Sequence, residues 1–185
     1  MENKEQKKEK TFDFKKEIRE WFFILLTAAG IALFLNTFII ANSRVPSNSM
    51  ETTIMTGDRI IGSRLAYLTS DPERGDVVIF HFPDDPTGKI YYVKRVIGLP
   101  GETVSVVDGK VYINDSDTPL DEPYLPEPME GSYGPYTVPE GCYFMMGDNR
   151  NNSLDARFWK NQFVEKDKII AKVLFTYFPK IEKVE

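Results

Sequence analysis

The chain has 185 residues, 42% hydrophobic and 13% aromatic, enough for one compact domain with a short appendage but not for a second full domain. Its formal charge of −5 argues against nucleic acid as the main partner, because phosphate binding needs a basic face. The lone Cys142 and lone His81 exclude an internal disulfide framework and a typical zinc site, and any Ser–His–Asp or Cys–His chemistry would have to use His81.

Residues 1–20 form a charged leader with seven basic residues: Lys4, Lys7, Lys8, Lys10, Lys15, Lys16 and Arg19. Residues 21–41, from Trp21 to Ala41, then run without a charge. About 20 residues at ~1.5 Å each cross a hydrocarbon core of roughly 30 Å, so this stretch reads as a transmembrane anchor. A buried core helix is the competing structural reading, but a small domain has no interior deep enough for such a rod. A cleaved signal peptide competes too, and its apolar region should be shorter. After the span only Arg44 precedes Arg59, so the positive-inside rule leaves the leader in the cytoplasm and residues 42–185 outside. The expected localisation is the cell membrane, single-pass, with an acidic exterior domain close to the lipid bilayer.

Beyond the anchor the strong signals are short, β-branched runs bounded by Gly, Pro, Asp or Asn: 59–61, 76–82, 90–97, 103–107, 110–113, 141–146 and 169–176. Asp108-Gly109 between two of them is a two-residue hairpin signal. No long stretch repeats apolar residues at helical spacing. The expected fold class is mainly β, an antiparallel β-sheet domain with one N-terminal transmembrane helix. Residues 114–139 are rich in Pro, Asp, Glu and Gly and read as a variable excursion from the main sheet. Neither that excursion nor the Lys-rich tail suggests chemistry.

Three clusters carry candidate chemistry. Val45-Pro46-Ser47-Asn48-Ser49-Met50 places hydroxyls just beyond the anchor, although loop serines commonly only satisfy turns. In Tyr92-Val93-Lys94-Arg95-Val96-Ile97, strand alternation puts Tyr92, Lys94 and Val96 on one face and Val93, Arg95 and Ile97 on the other. Such a lysine either guards a strand edge against aggregation or is desolvated into a base. A free lysine titrates near ~10.4, and bringing it toward neutrality requires about 3–4 kcal/mol of preference for the neutral amine, which apolar burial can supply. Gly147-Asp148-Asn149-Arg150-Asn151-Asn152-Ser153-Leu154-Asp155-Ala156-Arg157 follows an apolar strand. It reads either as a solvated loop or as support for a buried amine.

In this order, Pro46–Met50, Arg74–Val78, Tyr92–Glu102 and Gly147–Arg157 after an anchor resemble bacterial type I signal peptidase, the Ser–Lys leader peptidases of the peptidase S26 family. The likeness covers nearly the whole chain. It implies a membrane-bound serine endopeptidase that removes signal peptides from exported preproteins by cleaving after an Ala-x-Ala-like site. Ser49 resembles the nucleophile and Lys94 the general base. Ser47 and the Ser49 backbone N–H resemble the oxyanion hole. Ser153 resembles the residue that orients the amine, and Asp155 with Arg157 and Asp148 with Arg95 resemble supporting ion pairs. Val45, Ile54, Tyr92 and Val93 match positions lining the pockets for small side chains. Two departures touch loop and pocket detail: Thr52 stands where many members have Pro, and Asn48 where some have Gly.

No cofactor and no metal are expected, the expected partners are signal-peptide-bearing preproteins and the bilayer, and the expected state is a monomer. Two rivals remain: a self-cleaving repressor on a related β fold, which would lack the anchor, and a membrane-tethered, non-catalytic binding module. His81 and Cys142 are expected to be structural.

Overall fold

The computed structural model describes residues 14–184, so Lys4, Lys7, Lys8 and Lys10 of the expected leader lie outside the described residues. Helix α1 spans Phe14–Phe34, and a π-helical turn, Leu35–Ile39, continues it. Together these 26 residues are long and apolar enough to cross a membrane. They begin inside the charged leader because Phe14–Glu20 is itself made of good helix formers, with Lys16 and Glu20 paired one turn apart at 4.0 Å. At the other end, Ile40 and Ala41 leave the expected span and pair with Ser63 and Gly62 as the start of a strand. The chain divides between Leu35 and Asn36 into this helical unit and a folded β unit.

Eleven strands lie within the described residues: β1 Ile40–Arg44, β2 Arg59–Ser63, β3 Val77–His81, β4 Tyr91–Gly98, β5 Thr103–Val107, β6 Lys110–Ile113, β7 Tyr133–Thr137, β8 Cys142–Met146, β9 Phe163–Glu165, β10 Ile169–Phe178 and β11 Glu182–Lys183. All pair antiparallel. One sheet runs β1-β2-β10-β3-β4-β8-β9, with β11 alongside β10, and the other runs β6-β5-β7. The β5–β6 hairpin turns at Asp108 (φ 48°) and Gly109 (φ 75°), the pair of positive φ angles that a tight hairpin of matching twist requires.

The excursion is not wholly outside the sheets. Its last residues form β7 at the edge of the small sheet, where Pro135 can sit without depriving a neighbour of a ladder hydrogen bond.

Two apolar clusters cover opposite faces of the large sheet. Val78 and Phe80 join Val96, Phe144, Met146 and Trp159 on one side. Val77 and Ile79 join Ile54, Ile60 and Val173 on the other. This explains why β3 reads as an unbroken Val-Val-Ile-Phe run: a central strand covered on both faces has no polar side to show. On β4 the expected alternation holds as far as Val96. A register shift between Val96 and Gly98 then turns Ile97 into the same cluster as Val96.

Candidate active site

The Ser49 turn is anchored from beneath. Met50 (1% exposed) and Ile54 (0%) sink into the second cluster together with Val45. The turn is closed by Glu51 N–H to Asn48 O at 3.1 Å and Ile54 N–H to Met50 O at 2.9 Å. Val45 N–H donates to Asp58 O at 2.9 Å and Gly57 N–H to Val45 O at 2.8 Å, fixing the entry to the turn. The serine hydroxyl therefore sits on a segment whose flanking side chains are core.

Lys94 meets it from β4. Its Nζ hydrogen-bonds Ser49 Oγ, and the two residues are 3% and 7% exposed. Val78 faces Lys94 across the β3–β4 ladder, and the Tyr92 ring centroid lies 5.8 Å from Nζ. With so little water in reach, the charged amine is disfavoured and Lys94 is lowered from 10.5 to about 8. Asp155 and Asp148 oppose that drop and Arg157 assists it. Burial wins because each carboxylate is already committed to an arginine. Arg157 Nε and Nη2 bind Asp155 at 2.8 and 2.9 Å, and Arg95 Nε and Nη2 bind Asp148 at 2.8 and 2.6 Å. These forks are buried and bidentate, so little negative charge is left to hold a proton on the amine.

The loop after β8 locks against the serine turn. Asn149 N–H donates to Ser49 O at 3.1 Å, Asn149 Nδ2 to Asn48 O at 3.1 Å, and Thr53 Oγ1 to Asp148 Oδ2 at 2.5 Å. Gly147 is wedged at the contact. A Cβ there would collide with the Ser153 side chain and the Ser49 carbonyl, so the close approach requires glycine. Its N–H donates to Asp155 Oδ2 at 3.0 Å.

The remaining expected site residues fall as follows. Ser47 Oγ lies 3.4 Å from Ser49 Oγ on the exposed side of the turn. Ser153 is buried beside Gly147, but its Oγ has no hydrogen-bond partner among the described residues, so the contact with the lysine amine that the resemblance implied is absent from this arrangement. Val45 and Ile54, 3% and 0% exposed, sit with Val93 in one cluster beneath the serine turn and have almost no free surface. Tyr92 belongs to the other cluster, stacked on Phe82 with centroids 4.4 Å apart.

Sequence reasoning missed Glu122, Tyr124 and the role of Arg150. Arg150 stood inside the Gly-Asp-Asn-Arg run and was the one signal available. Its partner Glu122 is 28 residues away in the excursion, and no spacing rule connects the two.

The chain matches, over residues 18–178, the family described as "Signal peptidase, peptidase S26". It is 39% identical over 158 residues to a protein of Synechocystis sp. named "Probable signal peptidase I-2", covering 84% of this chain and 71% of that one. It is 34% identical over 181 residues to the "Signal peptidase I" of Bacillus licheniformis, covering 92% and 94%. A crystal structure of a signal peptidase I from Enterococcus faecalis V583, 33% identical, aligns with a TM-score of 0.45 over 56% of this chain and 97% of that one.

Proposed function

The chain belongs to the signal peptidase, peptidase S26 family, and from that premise we propose that it is a membrane-bound serine endopeptidase that removes signal peptides with Ser49 as nucleophile and Lys94 as general base. The observation that carries the proposal is the buried hydrogen bond between Lys94 Nζ and Ser49 Oγ, made by an amine lowered to about 8. A base at that level is neutral in a useful fraction of molecules near neutrality and still basic enough to take a hydroxyl proton.

In the first step Lys94 Nζ accepts the Ser49 proton as Oγ attacks the scissile carbonyl carbon. The Ser49 N–H and the Ser47 hydroxyl hold the oxyanion, and one such donor is typically worth about 3 kcal/mol. The ammonium then returns its proton to the leaving amine, which departs as the mature protein's N-terminus. Water, deprotonated by the same lysine, releases the signal peptide as a carboxylate and restores Ser49. Preference for Ala-x-Ala is part of this proposal through the family alone, because Val45 and Ile54, 3% and 0% exposed, are packed beneath the serine turn and closed to a substrate side chain.

The helix Phe14–Ile39 supports an anchor, with the leader cytoplasmic and the β unit outside. The preprotein would then meet the serine while its own apolar segment is still in the bilayer. The test is cleavage of a synthetic Ala-x-Ala preprotein by the detergent-solubilised protein. Cleavage lost in both Ser49→Ala and Lys94→Ala is expected. Cleavage that survives Lys94→Ala sinks the mechanism, and none by the unaltered protein turns the reading toward a tethered binding module.

A further inference from the structure

The excursion reaches into the site from outside the large sheet. Glu122 accepts Arg150 Nη1 at 3.0 Å and Nη2 at 2.5 Å, with the two side chains 6% and 0% exposed. Tyr124 donates its hydroxyl to Glu122 at 2.8 Å and lays its ring 3.8 Å from Arg95 Cζ. One short segment thus grips two buried arginines, and each holds a part of the site. Arg150 Nε donates to Gly147 O at 3.0 Å, and the Arg150 carbonyl accepts Arg157 Nη2 at 2.6 Å. Arg95 holds Asp148, to which Thr53 of the serine turn is bonded.

We propose that Glu122 and Tyr124 are positioning residues: through Arg150 and Arg95 they press the Gly147–Ser153 loop against the Ser49 carbonyl and so keep water from the Lys94 amine. The proposal rests on the peptidase reading, because an amine kept dry matters only to a base. Glu122 and Tyr124 act through the loop, by way of Arg150 and Arg95.

The direction of the effect follows from what faces the amine. The loop presents Asp148, the residues just after it present Asp155 and Arg157, the serine turn presents a hydroxyl, and β3 and β4 present Val78 and Tyr92. Burial is the principal cause of the lowered titration, so loosening the loop hydrates the amine and raises it. Freeing Asp148 or Asp155 from its arginine pushes the same way. Removing Glu122 also strands a buried guanidinium, which the loop must move to solvate.

The test is the pH–rate profile of the full-length, solubilised protein on an Ala-x-Ala preprotein, from about pH 6 to about pH 10. Rates are normalised to the folded fraction measured by circular dichroism. Glu122→Gln and Tyr124→Leu are expected to lower kcat about tenfold, leave KM within about twofold, and move the acidic limb up by about half to one pH unit. Tyr124→Phe keeps the ring over Arg95 and should stay closer to the unaltered protein.

A limb that does not move in either folded variant overturns the proposal, even if both melt earlier, because a mere structural brace would do that. So does a downward move, or a loss confined to KM. If Glu122→Gln fails to fold, Tyr124→Leu decides alone. Cleavage absent in the unaltered protein, or surviving Ser49→Ala, removes the peptidase reading and this proposal with it. An active, Ser49-dependent enzyme with unmoved limbs removes only the proposal.

Discussion

The Ser49–Lys94 site and the cleft that holds His81 and Cys142 are opposites. The cleft measures about 860 Å³, and His81, Asp85, Cys142, Lys160, Glu165 and Lys168 are among its lining residues. There is room for a ligand, but the charged groups in it stand near water. At the site the charged groups are instead shut away from water. Lys94, Arg95, Asp148, Asp155 and Arg157 are all below a tenth exposed, and every carboxylate has an arginine fork. The difference shows where chemistry can be built: an amine becomes a base by being deprived of water and of free carboxylates, and open volume supplies neither condition.

Replacing the amine breaks that contrast most severely. On the proposed mechanism Lys94→Met should reduce turnover by at least about a thousandfold, since it removes the amine that hydrogen-bonds the Ser49 hydroxyl and would take its proton. The same substitution should stabilise the fold. A lysine at about 8 when folded and at its ordinary 10.5 when unfolded binds fewer protons folded than unfolded between those values. Stability therefore rises with pH across that window, and below about pH 8 the folded state carries the full cost of a charged, buried amine, about 3 kcal/mol. Lys94→Met should consequently melt later than the unaltered protein at pH 7, with the advantage fading by pH 10. Denaturant unfolding at both pH values measures it, and an equal gain at both would mean that the methionine merely packs better.

Gly147→Ala is expected next. Its methyl group would press on the Ser153 side chain and the Ser49 carbonyl, displacing the serine by a fraction of an ångström to an ångström, and such a shift can cost about 100-fold in kcat. Single-turnover kinetics at saturating preprotein would register it. A rate within about twofold of the unaltered protein would show that the Ser49 carbonyl has slack.

The paired charges sharpen the comparison through stability. Arg95→Leu strands Asp148 in the interior and should cost about 3–5 kcal/mol, whereas Lys166→Leu, which removes a surface partner of Asp71, should cost less than about 1 kcal/mol. Similar losses in the two variants, by urea unfolding, would mean that burial does not distinguish these pairs.

Much of this arrangement was legible in the residues. The strands around Val77–His81, Tyr91–Gly98 and Thr103–Ile113 announced themselves through β-branched runs and the Asp108-Gly109 turn, and Ser49, Lys94, Asp148 and Asp155 stood in compact motifs. The illegible parts depend on long-range contacts. β1 was hidden inside an apolar run because Ile40 and Ala41 suit a membrane and a sheet equally well. β7 was hidden by its glycine and proline, which signal a loop unless the strand is an edge. Glu122 and Tyr124 were invisible because a carboxylate and a ring in a Pro-rich stretch acquire meaning only when folding brings Arg150 and Arg95 beside them.

The smallest expected effect tests the comparison from the cleft side. His81 Nδ1 lies 2.8 Å from Gly88 O, and the ring packs 4.8 Å from Tyr91, which ties β3 to the loop that follows it. Burial, with Glu165 and Asp167 nearby, pushes the Cys142 thiol up, so it stays protonated where a nucleophile would have to be a thiolate. Neither group has been given what Lys94 has. His81→Ala and Cys142→Ser should each leave kcat/KM on an Ala-x-Ala preprotein within about twofold. The double variant should keep the same acidic limb, because the group that titrates there sits in the dry site. A limb that vanished with the imidazole would transfer the base from Lys94 to His81.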